Sequence, residues 1–260
     1  MINKILRLKN RLIHRYHGIR SLINHGTYDY PSVIFLETST ACNRRCPYCP
    51  QSILPTKQEY ISQEVIDAFI AALNSINFDG SVDFHFFNEP LLDDVLPYIV
   101  KDVQDACPKV KYTLHTNADK LNIHNTKLLI DSGISKFIVS RHAPYSAEWD
   151  ARVFSIKKSF PRQIKIVKFR PWLNRGGLIK ELPETNLMHR TNICEEVKRV
   201  HITVNGDIVL CCQDYKKEYI MGNITKSVFR DIWFSPHYTN IRSQVRKGNF
   251  ELPICKACVA

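Results

Sequence analysis

Cys42, Cys46 and Cys49 fall in the run Thr40-Ala41-Cys42-Asn43-Arg44-Arg45-Cys46-Pro47-Tyr48-Cys49-Pro50, a C-x-x-x-C-x-x-C triplet. Three thiolates at this spacing can hold an iron-sulfur cluster and leave one iron open, whereas a fourth local cysteine would close the cluster into an electron carrier. This run has no fourth cysteine. An open iron is a place where a ligand can bind and chemistry can start. A zinc knuckle or a chance group of loop thiols is the competing reading. Zinc sites favour paired C-x-x-C units with a further ligand close by, which puts the cluster ahead.

The chain has nine cysteines in all. Four of them, Cys194, Cys211, Cys255 and Cys258, can supply a second complete ligand set, either for a closed 4Fe-4S cluster or for tetrahedral zinc, and their spacing leaves iron and zinc nearly level. Cys212 is a spare ligand, a small buried apolar residue or a thiol facing a substrate. Cys107, late in a predicted helix, is read as a packing residue.

The elements around these cysteines alternate. Residues 32–37 read as a buried strand running straight into the first cysteine loop, followed by a helix from Ser62 to Ile76, whose Ser62 sits just before a hydrophobic run with Glu64 in the first turn. Strands are expected at Val82–Phe87, Tyr112–His115, Lys136–Ser140 and Ile164–Phe169, with helices at Leu91–Ala106 and Leu121–Ser132. Repeated βα units imply a parallel sheet, and their number suits a partial, open barrel more than a closed eight-stranded one. Beyond Pro183 the pattern changes. Arg199–Val204 and Asp207–Cys211 alternate around Asn205-Gly206, a two-residue hairpin signal, and helices are expected near Val228–Trp233 and His237–Lys247.

The triplet, with the aromatic Tyr48 before its third cysteine, resembles the radical S-adenosylmethionine enzymes, and the resemblance implies that the methionine part of that cofactor chelates the open iron and that Tyr48 contacts the cofactor. In a parallel βα architecture the loops at the carboxyl ends of the strands share one mouth. Phe86-Phe87-Asn88-Glu89-Pro90 follows the second strand and corresponds to the family's G-G-E-P-like motif, so Glu89 would accept a hydrogen bond from the cofactor's amino group. Asn88 stands where a glycine is usual. Asn117 after the third strand, and Ser140 and Arg141 after the fourth, fall where they could hold the cofactor's ribose and carboxylate; spacing alone equally fits surface strand ends. The tail, with Gly206 five residues before Cys211, Gly222-Asn223-Ile224, Ile232-Trp233 and the final C-x-x-C, is similar to the twitch module, the short form of the SPASM auxiliary-cluster domain, which moves iron ahead of zinc.

Further runs, among them Phe84-His85-Phe86, Glu89-Pro90-Leu91-Leu92 and Asn174-Arg175-Gly176-Gly177, are similar to those of radical dehydrogenases that oxidise a cyclitol. That likeness implies a polyol or sugar substrate, oxidation of an alcohol to a ketone, transfer of the electron to the auxiliary cluster, and a flavodoxin- or ferredoxin-type electron donor. It casts Arg175 as a substrate contact. A guanidinium is a poor base, so an orienting and charge-stabilising role suits it better, against a surface position in an Arg-Gly-Gly turn. Asp214 would bind a polar substrate group. Cys212 and Gln213 replace an aromatic and an acidic residue of those enzymes, and Cys212 could instead return a hydrogen atom to the substrate, giving an epimerase of a sugar or peptide.

Composition bounds the rest. The 260 residues can enclose one sizeable core with a small appended module, and 44% hydrophobic content fits a globular chain. No stretch approaches the roughly 20 uninterrupted apolar residues of a membrane span. The first ten residues lack the apolar region of a secretory signal, so reduced, metal-holding thiols in the cytoplasm are expected. Residues 1–28 form their own unit, with 1–25 reading as a basic amphipathic helix that docks on the domain or meets a membrane surface; residues 29–183 form the partial barrel and 184–260 the cluster module. The net charge is +11, and two loaded clusters would bring it to roughly +8. Such charge can attract phosphates, nucleic acid or an acidic surface without choosing among them. A zinc-stabilised nucleic-acid adaptor is the remote, non-enzymatic alternative.

Overall fold

The computed structural model describes residues 18–19, 21–54, 57–142, 146–168, 174–180 and 194–259. Most of the expected amino-terminal helix lies outside them, though residues 21–25 are helical. Five strands, β1 (Val33–Leu36), β2 (Ser81–Asp83), β3 (Lys111–Thr116), β4 (Ile134–Arg141) and β5 (Ile164–Lys168), pair in parallel in sequence order. Four helices make the crossovers that parallel pairing requires: α1 (Gln63–Ser75), α2 (Leu96–Ala106), α3 (Ile123–Asp131) and α4 (Ala147–Ser159). The sequence explains their starts. The side chains of Ser62, Asn122 and Ser146 each accept an amide hydrogen bond at a helix start, and Asn125 completes a reciprocal cap with Asn122.

Their inner faces build the core. Ile34, Leu36, Phe69, Val82, Phe84, Leu114, Phe137 and Val139 are fully buried, each contributing roughly 1.5–3 kcal/mol of transfer free energy. Where β1 and β2 meet, Gly80 comes so close that a Cβ there would lie 2.6 Å from the Ser32 carbonyl oxygen. Gly80→Ala is therefore expected to cost about 1–3 kcal/mol of stability, read as a lowered denaturation midpoint, because the clash is with backbone that cannot rotate away.

The tail does not form a separate sheet. β6 (Arg199–Ile202) pairs in parallel with β1, and β7 (Asp207–Val209) and β8 (Ile220–Asn223) follow antiparallel, giving one open eight-stranded sheet in the order β5-β4-β3-β2-β1-β6-β7-β8. The hairpin between β6 and β7 differs from its expected two-residue form. The Thr203 amide donates to the Asp207 carbonyl, and of the intervening residues only Gly206 has positive φ, +80°. That is a three-residue loop with its glycine in the left-handed position. The helices α5 (Phe229–Trp233), α6 (Pro236–Arg246) and α7 (Pro253–Val259) complete the tail. Trp233 is fully buried, with the Arg242 guanidinium 3.8 Å over its ring and its indole N–H donating to the Asp29 carbonyl at 2.6 Å.

Two expected elements shift. The second strand is shorter than Val82–Phe87, and the helix expected from Leu91 starts at Leu96 behind a short 3-10 turn at Pro90–Leu92. α4 was not anticipated, although Trp149, Val153 and Ile156 form a helical stripe. The expected boundary near residue 183 lies outside the described residues. No helix among the described residues is long and apolar enough to cross a membrane.

Candidate active site

The carboxyl ends of β1 to β4 and the start of β6 surround a cavity of about 300 Å³. Cys42, Cys46 and Cys49 all line it. Their loop is anchored from below and from the side. Gln51, 2% exposed, donates its amide to the carbonyls of Thr40 and Phe87, the Glu89 amide donates to the Ala41 carbonyl at 2.8 Å, and Arg44 and Asn43 both donate to the Asp119 carboxylate at 2.7 Å. The three sulfurs are thus held on the cavity wall by bonds from two neighbouring strand-end loops. Burial pushes the Cys42 thiol up to about 11 and that of Cys49 above its usual value. Desolvated thiols clustered without a disulfide favour a bound cation that takes their protons.

Glu89 lies beside them, 3% exposed. Its carboxylate accepts from the Thr116 hydroxyl at 2.5 Å, the Asn117 amide at 2.7 Å and the Leu91 amide at 3.2 Å. Burial outweighs these donors and raises its pKa to about 7. The neighbouring Asn88 explains how the loop does without the usual glycine: its φ is not positive, and its side-chain oxygen accepts the Phe86 amide at 3.0 Å. Its side-chain nitrogen is buried in the cavity wall without a partner among the described residues. An orphaned donor beside a buried carboxylate and three thiols suits a polar, amino-acid-like cofactor group.

Of the other expected cofactor contacts, Tyr48, Asn117 and Ser140 line the cavity. The Tyr48 hydroxyl lies 2.6 Å from Nδ1 of His142, and the Asn117 side chain bridges Asn43 and the Asp119 amide. Arg141 does not reach this cavity. It lines an adjoining cleft of about 350 Å³ and its guanidinium pairs with Asp150 at the start of α4. Asp214 is also elsewhere: 1% exposed, its carboxylate accepts the amides of Glu218 and Tyr219 at 2.9 Å and closes a tight turn.

Arg175 and Cys212 do line the cavity. Arg175 has a φ of +53°, followed by Gly176 at +64° and Gly177 at +87°. This turn docks on the tail through Asn174, which donates to the Ala257 carbonyl at 2.6 Å, and a Cβ on Gly176 would meet Ile254 at 2.9 Å. Cys212 receives a hydrogen bond from Gln213 at 3.1 Å, and burial pushes its thiol up to about 12. Several cavity residues went unremarked in the sequence: His115, Glu196, Arg199, His201 and the supporting Asp83. A signal was present, because Asp83 and His85, like Thr113 and His115, are polar residues two apart in otherwise apolar strands and so share a face.

Behind this cavity, Cys194, Cys211, Cys255 and Cys258 surround a second, small cavity together with Gln213, Phe250 and Ile254. Burial raises the pKa of all four, to about 11 for Cys255 and Cys258, with neighbouring thiols adding to the shift at Cys194, Cys211 and Cys258. Four convergent thiols fit a closed tetrathiolate site. Glu196 lines both cavities. A larger cleft of about 650 Å³, bordered by His25, Tyr30, Ile76 and Arg230, contains none of the cysteines.

Comparison with known proteins agrees with this geometry. Residues 36–168 match the radical SAM superfamily and residues 194–259 match the SPASM iron-sulfur cluster-binding domain. The S-adenosyl-L-methionine-dependent 2-deoxy-scyllo-inosamine dehydrogenase of Niallia circulans is 27% identical over 231 residues, covering 87% of this chain and 92% of that protein. The crystal structure of BtrN in complex with AdoMet and 2-DOIA superposes with a TM-score of 0.80 at 26% identity, covering 88% of this chain and 93% of that one. The open conformation of BtrN gives a TM-score of 0.67 at 25% identity, covering 88% and 92%. The radical SAM and SPASM domains imply a 4Fe-4S cluster with S-adenosylmethionine and an auxiliary cluster, and the chain belongs to the radical SAM superfamily.

Proposed function

We propose that this protein is a radical dehydrogenase that oxidises one alcohol of a cyclitol or aminocyclitol to a ketone. The observation that carries the reading is the sharing of Glu196 between two cavities, one lined by Cys42, Cys46 and Cys49 and the other by Cys194, Cys211, Cys255 and Cys258. When bound, the first cluster and S-adenosylmethionine supply a one-electron cleavage and a carbon-centred radical able to take hydrogen from a carbinol carbon.

The chain's own residues bind, orient and exclude water. Phe35, Phe86 and Phe87 give the cavity apolar walls, which suit the ring face of a cyclitol and keep water from a reactive radical. The Arg175 guanidinium has no hydrogen-bond partner among the described residues and can hold a substrate hydroxyl oxygen. Arg199 is already paired with Glu196 at 2.8 Å and holds that carboxylate in place. The electron leaving the substrate has an acceptor immediately behind this wall. Residues 29–183 carry the cofactor end of the reaction and 184–260 the acceptor end, in a cytoplasmic protein reduced by a flavodoxin- or ferredoxin-type donor.

Cys212 supports a second reading, epimerisation, because it lines the same cavity and its thiol could return a hydrogen atom. Turnover of 2-deoxy-scyllo-inosamine in deuterated solvent separates the two. The dehydrogenase yields a ketone, detected by hydrazone mass spectrometry, and no starting material labelled on carbon. An unoxidised product carrying one solvent deuterium on carbon would reverse the assignment.

A further inference from the structure

Oxidising an alcohol to a ketone removes a hydrogen atom from carbon, a proton from oxygen and one electron, so the cavity needs a base for the proton. Most of its candidates are already engaged. Glu89 accepts three hydrogen bonds, Glu196 pairs with Arg199 at 2.8 Å and lies 3.2 Å from His201, and His142 shares a 2.6 Å hydrogen bond with Tyr48. His201 is 2% exposed and stacked on Phe35. His85 is held neutral and weakly basic, its pKa lowered to about 3 by burial and then by His115. Arginines do not deprotonate in proteins.

His115 is different. Its side chain is 36% exposed and lines the cavity, and its Nδ1 lies 2.6 Å from an Asp83 oxygen. Asp83 is 2% exposed and its carboxylate is held in turn by the Thr113 hydroxyl at 2.7 Å and the His115 amide at 3.3 Å. Burial alone would raise the Asp83 pKa, but the His115 contact and its other donors hold it below the usual carboxylate value. An ionised Asp83 fixes the proton on Nδ1 and leaves the Nε2 lone pair available, and Nε2 has no partner among the described residues. The charged or titratable groups facing the ring are Asp83 and His85; Arg175 and His201 act on His85, and Ile138, the ring's register partner on β4, is neutral.

We propose that His115, oriented by Asp83, is the base that takes the hydroxyl proton of the substrate. This rests on the dehydrogenase reading. The carbinol C–H bond breaks homolytically and its hydrogen atom leaves with the cofactor-derived radical. The O–H proton moves to Nε2 of His115, the carbon-oxygen double bond forms, and the remaining electron passes to the auxiliary cluster, the oxidant. Asp83 is a positioning residue that stabilises the resulting imidazolium.

The test uses the reconstituted holoenzyme with 2-deoxy-scyllo-inosamine deuterated at the oxidised carbon. In His115→Gln, deuterium transfer into 5′-deoxyadenosine and equilibrium binding of the aminocyclitol persist, while ketone formation falls about 100-fold and a substrate radical accumulates in freeze-quenched EPR spectra. The pH profile of the variant's ketone formation departs from that of the wild type, and its rate recovers as hydroxide rises. Asp83→Asn, which presents the wrong tautomer, reproduces the ketone loss. Wild-type ketone yield with an unchanged pH profile in His115→Gln would overturn the proposal. So would one extra divalent ion per chain that this variant loses, since Asp83, His85 and His115 could also hold a cation. A wild-type enzyme that labels no 5′-deoxyadenosine and forms no ketone overturns the parent reading instead, and this one with it.

Discussion

Alanine at Cys42, Cys46 and Cys49 together abolishes 5′-deoxyadenosine formation while the chain still folds and retains about four irons at the auxiliary site. The loss is expected to be complete because, among the described residues, the only other cysteine lining the cavity is Cys212, next to Cys211 in the tail. Folding survives because the loop is held by bonds the cysteines do not make: Gln51 to two carbonyls, Arg44 and Asn43 to Asp119, and the Glu89 amide to Ala41. Iron analysis, circular dichroism and chromatographic assay of 5′-deoxyadenosine check the three parts. Retained cofactor cleavage in the triple variant would remove the first cluster from the account.

The second large effect lies in the tail. Cys255→Ala is expected to reduce iron to about four per chain, to abolish ketone formation, and to leave cofactor cleavage measurable but uncoupled. Cys194, Cys211, Cys255 and Cys258 line one small cavity, and no other cysteine among the described residues does. Loss of one ligand also loosens the α7 surface on which the Arg175 turn rests, through Asn174 and Ala257. Thermal unfolding of the loaded variant should therefore fall as well, because binding a structural metal group is coupled to folding. A loaded variant that keeps its ketone yield and its midpoint would show that the tail site neither takes the electron nor holds the loop.

Much of this was legible in the sequence because it is local. A cysteine triplet inside eight residues, caps such as Ser62 and alternating apolar strands are written at short range. The four tail cysteines were legible as a set but not as a place: that they back directly onto the cofactor cavity depends on β6 pairing with β1, more than 160 residues apart in the chain, which no local period records. Arg141 and Asp214 show the opposite failure. Each has a cavity-like residue type and position, yet a nearby partner claims it, Asp150 in one case and the amides of Glu218 and Tyr219 in the other. The Asp83–His115 pair was missed because its members sit on different strands, and only the parallel register of β2 and β3 brings them within 2.6 Å.

The most direct test of the central claim, one cavity coupling cofactor cleavage to alcohol oxidation, is anaerobic turnover of carbinol-deuterated 2-deoxy-scyllo-inosamine by dithionite-reduced enzyme. The account predicts singly deuterated 5′-deoxyadenosine and ketone in equal amounts. Unlabelled 5′-deoxyadenosine with no ketone, or substrate returned with a solvent hydrogen at that carbon, would contradict it.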